Sequence, residues 1–218
     1  MFLASSQFLY FMEIMIFVSV VFMHMCKKNT SVVFLYMFQS SMLTMLLLVI
    51  SIKEASLPLA LVTGFTFIVK VVIAPIFFLN LIKRHKLKFE VSTYLNMPMT
   101  LLVLTVLLTI TYYKFLKPLV SLAPSKENLL LLSFATILAS IFLIINRRGA
   151  LSQMIGILSL ENGIVSFASL AGLEENPGLQ IGIIFNLLVW VVIATVFVSM
   201  IYKKFGTLDV TTMKHLKE

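Results

Sequence analysis

Apolar residues run through this chain in continuous stretches of about twenty, with no period-two alternation. That feature fixes the solvent. Of 218 residues, 60% are hydrophobic and 12% charged, with a mean hydropathy of +1.06, which no soluble globular domain of this length shows. In a bilayer every backbone polar group must be satisfied inside its own helix or a closed barrel. Continuous runs exclude the alternating pattern of a barrel, so the sequence predicts an all-α integral membrane bundle.

A hydrocarbon core of about 30 Å takes about 20 helical residues. Seven stretches meet that length, running from about Ser5 to Met25, Val32 to Ser51, Leu57 to Ile82, Met97 to Phe115, Glu127 to Ile145, Arg148 to Ala171 and Leu179 to Tyr202. The Pro118–Ser125 connection is the least apolar. It divides the chain into a four-helix part over 1–120, a three-helix part over 121–205 and a polar tail over 206–218. Short cationic clusters lie between the spans. Lys27, Lys28, Lys83, Arg84, Lys86, Lys88, Arg147, Arg148 and the tail lysines share one side, against Lys53, Lys114, Lys117 and Lys126 on the other. By the positive-inside rule this predicts an outside N-terminus and a cytoplasmic C-terminus. The same clustering accounts for the formal net charge of +8 as membrane-edge anchoring and excludes nucleic acid as a partner.

Other functions are excluded by what is missing. Met1–Gln7 has neither a basic n-region nor a cleavage site, so no removable signal peptide is expected. Cys26, the single cysteine, cannot form an internal disulfide; it reads as a small membrane-edge residue, with reversible acylation as the alternative. His24, His85 and His215 are scattered, and there is no Cys/His metal spacing, glycine-rich phosphate loop or Ser-His-Asp set. No mid-helix lysine stands in the last span to hold a retinal. No catalytic residue, metal site or cofactor is expected in this chain.

The informative residues are those inside the spans. Gln153–Ala171 carries Glu161 near its middle, where an ionised carboxylate costs about 2.5–3.5 kcal/mol even on lenient insertion scales. Lys70 lies near mid-depth of the third span, too far in to snorkel. Burial destabilises the charged form of each group, which makes the two candidates for a proton or cation path. The competing reading is an ion pair that only holds helices in register. Pro75 lacks an N–H and frees a carbonyl near Val71 or Ile73, predicting a kink. Gly156 and Gly163, seven apart, predict a close-packing stripe. Gln39, Glu13, Asn162 and Asn186 are further candidates for a polar interior, each also readable as one interhelical hydrogen bond.

Three segments carry a family likeness: Leu160-Glu161-Asn162-Gly163, the third span's IVKVVIAPIF, and the tail Gly206-Thr207-Leu208-Asp209-Val210. Together they resemble hydrogenase-4 component E (HyfE), a membrane subunit of group 4 [NiFe]-hydrogenase and formate hydrogenlyase-type complexes related to respiratory complex I. The resemblance runs from about Tyr36 and Gln39-Ser40 to the tail. It implies that the last three helices are similar to the complex I subunit NuoK and its counterparts in Mrp-type antiporters. Glu161 would stand where that family has its proton-path glutamate, and Lys70 would match its membrane lysine. Relatives can carry a carboxylate early in the last span, where this chain has Asn186, which cannot take up a proton. The implied role is a non-catalytic subunit in a prokaryotic inner or plasma membrane, packed among antiporter-like partners and serving proton or sodium translocation. A membrane anchor or assembly scaffold of such a complex, a subunit of an Mrp-like cation antiporter, and a free-standing transporter remain as alternatives. No inverted repeat favours the last.

Overall fold

The computed structural model describes residues 6–84, 92–115 and 126–172, with Pro118 and Val196 as isolated positions. Within them the chain is helical: α1 (Ser6–Met25), α2 (Asn29–Lys53), α3 (Leu57–Thr66), a π-helical segment π1 (Phe67–Ile73), α4 (Ala74–Arg84), α5 (Met97–Ile110), a second π-helical segment π2 (Thr111–Phe115), α6 (Glu127–Asn146) and α7 (Ala150–Leu170). α3, π1 and α4 form one continuous span, and π2 continues α5. Six spans long and apolar enough to cross a membrane result, among the described residues. They correspond to the first six expected from sequence. The seventh, from Leu179 to Tyr202, lies outside the described residues, as does most of the expected boundary at Pro118–Ser125.

The helix starts follow from local chemistry. Ser56 caps α3 by accepting from the Leu59 N–H at 3.4 Å, and Asn96 caps α5 by accepting from the Met99 N–H at 3.2 Å. Pro58 and Pro98 each sit in the first turn behind these caps, where a missing N–H costs nothing. Gly172, at φ 73°, follows the C-terminal turn of α7 in the left-handed region that glycine enters without strain.

Four helices form the centre. α1 packs on α2, α2 on α7, α7 on α6 and α6 back on α1. The α3–π1–α4 span lies against α2, and α5 lies against α6 and α1. Burial follows this arrangement: 67% of the α7 span is enclosed but only 17% of the α5 span. Leu43, Leu46, Leu130 and Ile16 fill one apolar cluster; Tyr36, Leu143, Leu151 and Ile155 fill another nearer the opposite end. Large apolar side chains such as Phe11, Phe22, Phe34, Phe38 and Ile145 point outward, as lipid requires. α1, α2, α6 and α7 thus share one core.

The α6–α7 hairpin is the closest pairing, and two glycines make it so. A methyl group on Gly156 would stand 2.8 Å from Ile144 Cγ1, and one on Gly163 would stand 3.2 Å from the Ile137 backbone nitrogen. The glycine spacing of seven is matched by Ile144 and Ile137, as two antiparallel helices demand. In lipid, where no hydrophobic force joins helices, such backbone approach supplies the packing. Gly163→Ala should therefore cost about 1–3 kcal/mol by overpacking. Gly64→Ala, which meets nothing within 4 Å, should cost none. Thermal unfolding in detergent checks this, with a lowered Tm for the first variant alone.

Candidate functional site

Pro75 provides no N–H, so the helix before it cannot keep regular α-type bonding throughout. The structure resolves this with π1, whose end is marked by the Ala74 N–H bonding to the Val69 carbonyl five residues back. Lys70 lies at the centre of this wider segment and is fully buried. The expected kink at Pro75 thus takes the form of seven π-helical residues that turn Lys70 inward towards α7.

The neighbours of Lys70 come from α7. Its Nζ donates to Asn162 Oδ1 at 2.9 Å and lies 3.5 Å from Glu161 Oε1. Adjacent helical residues point about 100° apart, so Glu161 and Asn162 reach the ammonium from two directions. Asn162 is also bound on its other atom. Its Nδ2 donates to Ser40 Oγ at 2.9 Å and to Gln39 Oε1 at 3.2 Å, and Gln39 Nε2 in turn donates to the Ile16 carbonyl at 3.4 Å. Four separate spans are therefore tied at one depth. Glu161 keeps acceptor capacity in reserve: its Oε2 has no hydrogen-bond partner, and 8% of the residue stays exposed among the described residues. A carboxylate with a cation on one oxygen and a free second oxygen is an acceptor site for a proton or a hydrated cation.

Glu13, one turn before Ile16 on α1, is fully buried, with its Oε2 accepting from Ser166 Oγ at 2.5 Å. Gly156 and Gly163 face α6 and take no part in the polar cluster. Asn186 lies outside the described residues.

Two features were not picked out from sequence. The first is a serine register on α7. Ser152 donates to Asn29 Oδ1 at 3.0 Å, Ser159 bonds Ser140 Oγ at 3.0 Å, and Ser166 bonds Glu13. Their spacing of seven, like that of the glycines, was the signal available. The second is Arg147. Counted from sequence as a membrane-edge charge, it is fully buried and caps α1 instead, donating to the Cys26 carbonyl at 3.1 Å and to the Met23 carbonyl. Burial draws its guanidinium down to about 10, which leaves it charged at neutral pH. Around it Asn146 and Arg148 bind the segment before α5: Tyr94 N–H donates to the Asn146 carbonyl at 3.0 Å, and Arg148 N–H to the Ser92 carbonyl at 3.1 Å. Burial also pushes the Cys26 thiol up, away from reactivity. Among the described residues no group of three or more His, Cys, Asp or Glu is placed to hold a metal ion.

Comparison with known proteins bears on the same helices. Residues 128–218 match the family model of NADH-ubiquinone/plastoquinone oxidoreductase chain 4L, the NuoK-like family. This covers less than half of the chain but takes in α6, α7 and Glu161. The chain is also 28% identical over 130 residues to a protein of Mycobacterium tuberculosis described as uncharacterized. That match takes in 59% of this chain and 59% of the relative, so the chain spans about three fifths of the length of the curated relative it matches. No solved structure matches. The described helices thus form a multi-pass bundle, and the similarity to chain 4L falls on its C-terminal part.

Removing one member of the buried pair leaves the other uncompensated. Lys70→Met should destabilise the protein by about 3–5 kcal/mol, and Lys70→Arg by much less, since the cation is kept. Thermal unfolding in detergent measures both. Equal stability of Lys70→Met and wild type would contradict the geometry at Glu161.

Proposed function

We propose that this chain is a non-catalytic membrane subunit of a complex I-like, membrane-bound [NiFe]-hydrogenase, and that it contributes buried ionisable residues to proton or sodium translocation. The observation that carries the reading is the cluster of Lys70, Glu161 and Asn162, which places an ion pair and a free carboxylate oxygen inside a membrane bundle. Ionisable groups at that depth mark ion pathways as a rule. The chain 4L-like match over Glu161 supports the ion-translocating half of the proposal. The likeness to hydrogenase-4 component E supports the hydrogenase half.

On this reading Glu161 takes and gives the ion, Lys70 sets the energy of its charged state, and Asn162 fixes Lys70 in place. Gln39 belongs to the polar wall of the path. The catalytic nickel–iron and iron–sulfur centres belong to other subunits, and no cofactor is assigned to this chain. Its partners are antiporter-like membrane subunits and the bilayer of a prokaryotic inner or plasma membrane. The end of the bundle that carries Cys26, Arg147 and Arg148 faces the cytoplasm.

A second reading, a scaffold held in register by Lys70 and Glu161, draws on the same contacts. It accounts less well for Glu161 Oε2, which has no partner among the described residues, because a purely structural pair is stable only when its remaining lone pairs are satisfied.

The test is Glu161→Gln in the complex purified through a tag on this chain and reconstituted in liposomes. Hydrogen-linked ion uptake per assembled complex should fall by about a hundredfold, with assembly read separately from the partner subunits that co-purify. Unchanged uptake in a fully assembled complex would refute the relay. Purification of the chain without large partners would refute the subunit assignment.

A further inference from the structure

Glu13 stands out on α1. Its neighbours within one turn on the inward face, Leu9, Met12 and Ile16, are apolar and buried, and Glu13 among them has no exposed surface. Among the described residues it makes one hydrogen bond, from Ser166, and its Oε1 has no partner. Among the described residues no cationic side chain lies within ion-pairing distance of it. A carboxylate is not needed merely to tie α1 to α7. The Ser140–Ser159 contact shows that this bundle joins two helices with hydroxyls alone.

Its surroundings connect it to the cluster at Lys70. Ser166 is one turn along α7 from Asn162, and Ile16, whose carbonyl accepts from Gln39, is one turn along α1 from Glu13. Along the helix axes these separations are about 6 Å and about 4.5 Å, four and three residues at about 1.5 Å each, so the Glu13–Ser166 contact and the Asn162 network occupy adjacent turns of the bundle. Oε1 of Glu13 and Oε2 of Glu161 are the acceptors with unused capacity at the two ends of this route.

We infer that Glu13 is a second proton-exchanging carboxylate of the bundle, joined to the Lys70–Glu161–Asn162 cluster by way of Ser166 and Gln39. This rests on the reading of Glu161 as a site of ion passage, and it selects the proton as the ion. One proton leaves the Glu13 carboxyl group and, relayed through water, one proton arrives at the Glu161 carboxylate. Glu13 ends ionised, Glu161 ends neutral, and no other atom is gained or lost. Ser166 then stabilises the new Glu13 carboxylate as a charge-assisted donor. The first helix is thereby part of the path and not only a membrane anchor.

The experiment compares Glu13→Gln, Glu13→Asp and Glu161→Gln in the assembled complex in liposomes. Glutamine keeps the shape of Glu13 and its acceptor for Ser166 but cannot exchange a proton. Glu13→Gln should lower proton translocation per electron by about tenfold or more, and Glu13→Asp by clearly less. Normal translocation in Glu13→Gln with loss in Glu161→Gln overturns this inference and leaves the role of Glu161 standing. Loss in Glu13→Gln with none in Glu161→Gln overturns the shared route. If Glu13→Gln fails to assemble, infrared difference spectra of the wild-type and Ser166→Ala complexes decide. A carboxyl C=O band that changes with turnover and moves when the Ser166 hydroxyl is removed supports the inference. A turnover spectrum identical in the two complexes overturns it.

Discussion

An ammonium and a carboxylate held together away from water constrain everything around them. Neither Lys70 nor Glu161 is stable alone at that depth, so the helices bearing them must meet and stay met. The chain achieves this with backbone devices. Pro75 interrupts regular bonding and π1 presents Lys70 to α7. Gly156 and Gly163 press α7 onto α6 from the other side. Asn162 then fixes the ammonium, and through Ser40 and Gln39 it fixes α2 as well. Helix packing and charge placement are therefore one problem with one solution. A shift of α7 by a single residue would move the glycines off Ile137 and Ile144 and take Asn162 off Lys70 together.

The serines on α7 extend the same logic. Each meets a different partner helix: α2 at Ser152, α6 at Ser159 and α1 at Ser166. Small hydroxyls allow close approach and still leave their own groups satisfied, which suits helix contacts in lipid. At the end of the bundle Arg147 does comparable work on backbone. Its guanidinium donates to the Met23 and Cys26 carbonyls at the end of α1, next to the turn that joins α6 to α7. The hairpin of the C-terminal part thus closes the first helix of the N-terminal part.

Much of this was legible in the sequence because lipid permits so few solutions. Continuous apolar runs fixed the fold class and the first six spans. Lys70 and Glu161 were visible as charges out of place, although order along the chain does not say which helices are neighbours. Their contact is a finding of the structure. Pro75 announced a disturbed helix but not that the disturbance would be π-helical and centred on Lys70. Ser166 was hidden by the ordinariness of serine in membrane helices, where one spacing serves packing and hydrogen bonding alike. Arg147 was hidden by position, since an arginine beside a helix end reads as a topology signal whether it faces water or caps a neighbour. Asn186 and the seventh span lie outside the described residues.

The central claim is that the Lys70–Glu161 pair carries ions and does not merely hold helices. The double substitution Lys70→Met with Glu161→Met tests it most directly, because it removes both charges and leaves neither stranded. The account predicts that the complex assembles to near wild-type levels, as apolar replacement of a buried pair is often neutral or stabilising, while ion translocation stays abolished. Assembly and translocation both restored in the double variant would contradict it and leave the pair a structural clasp.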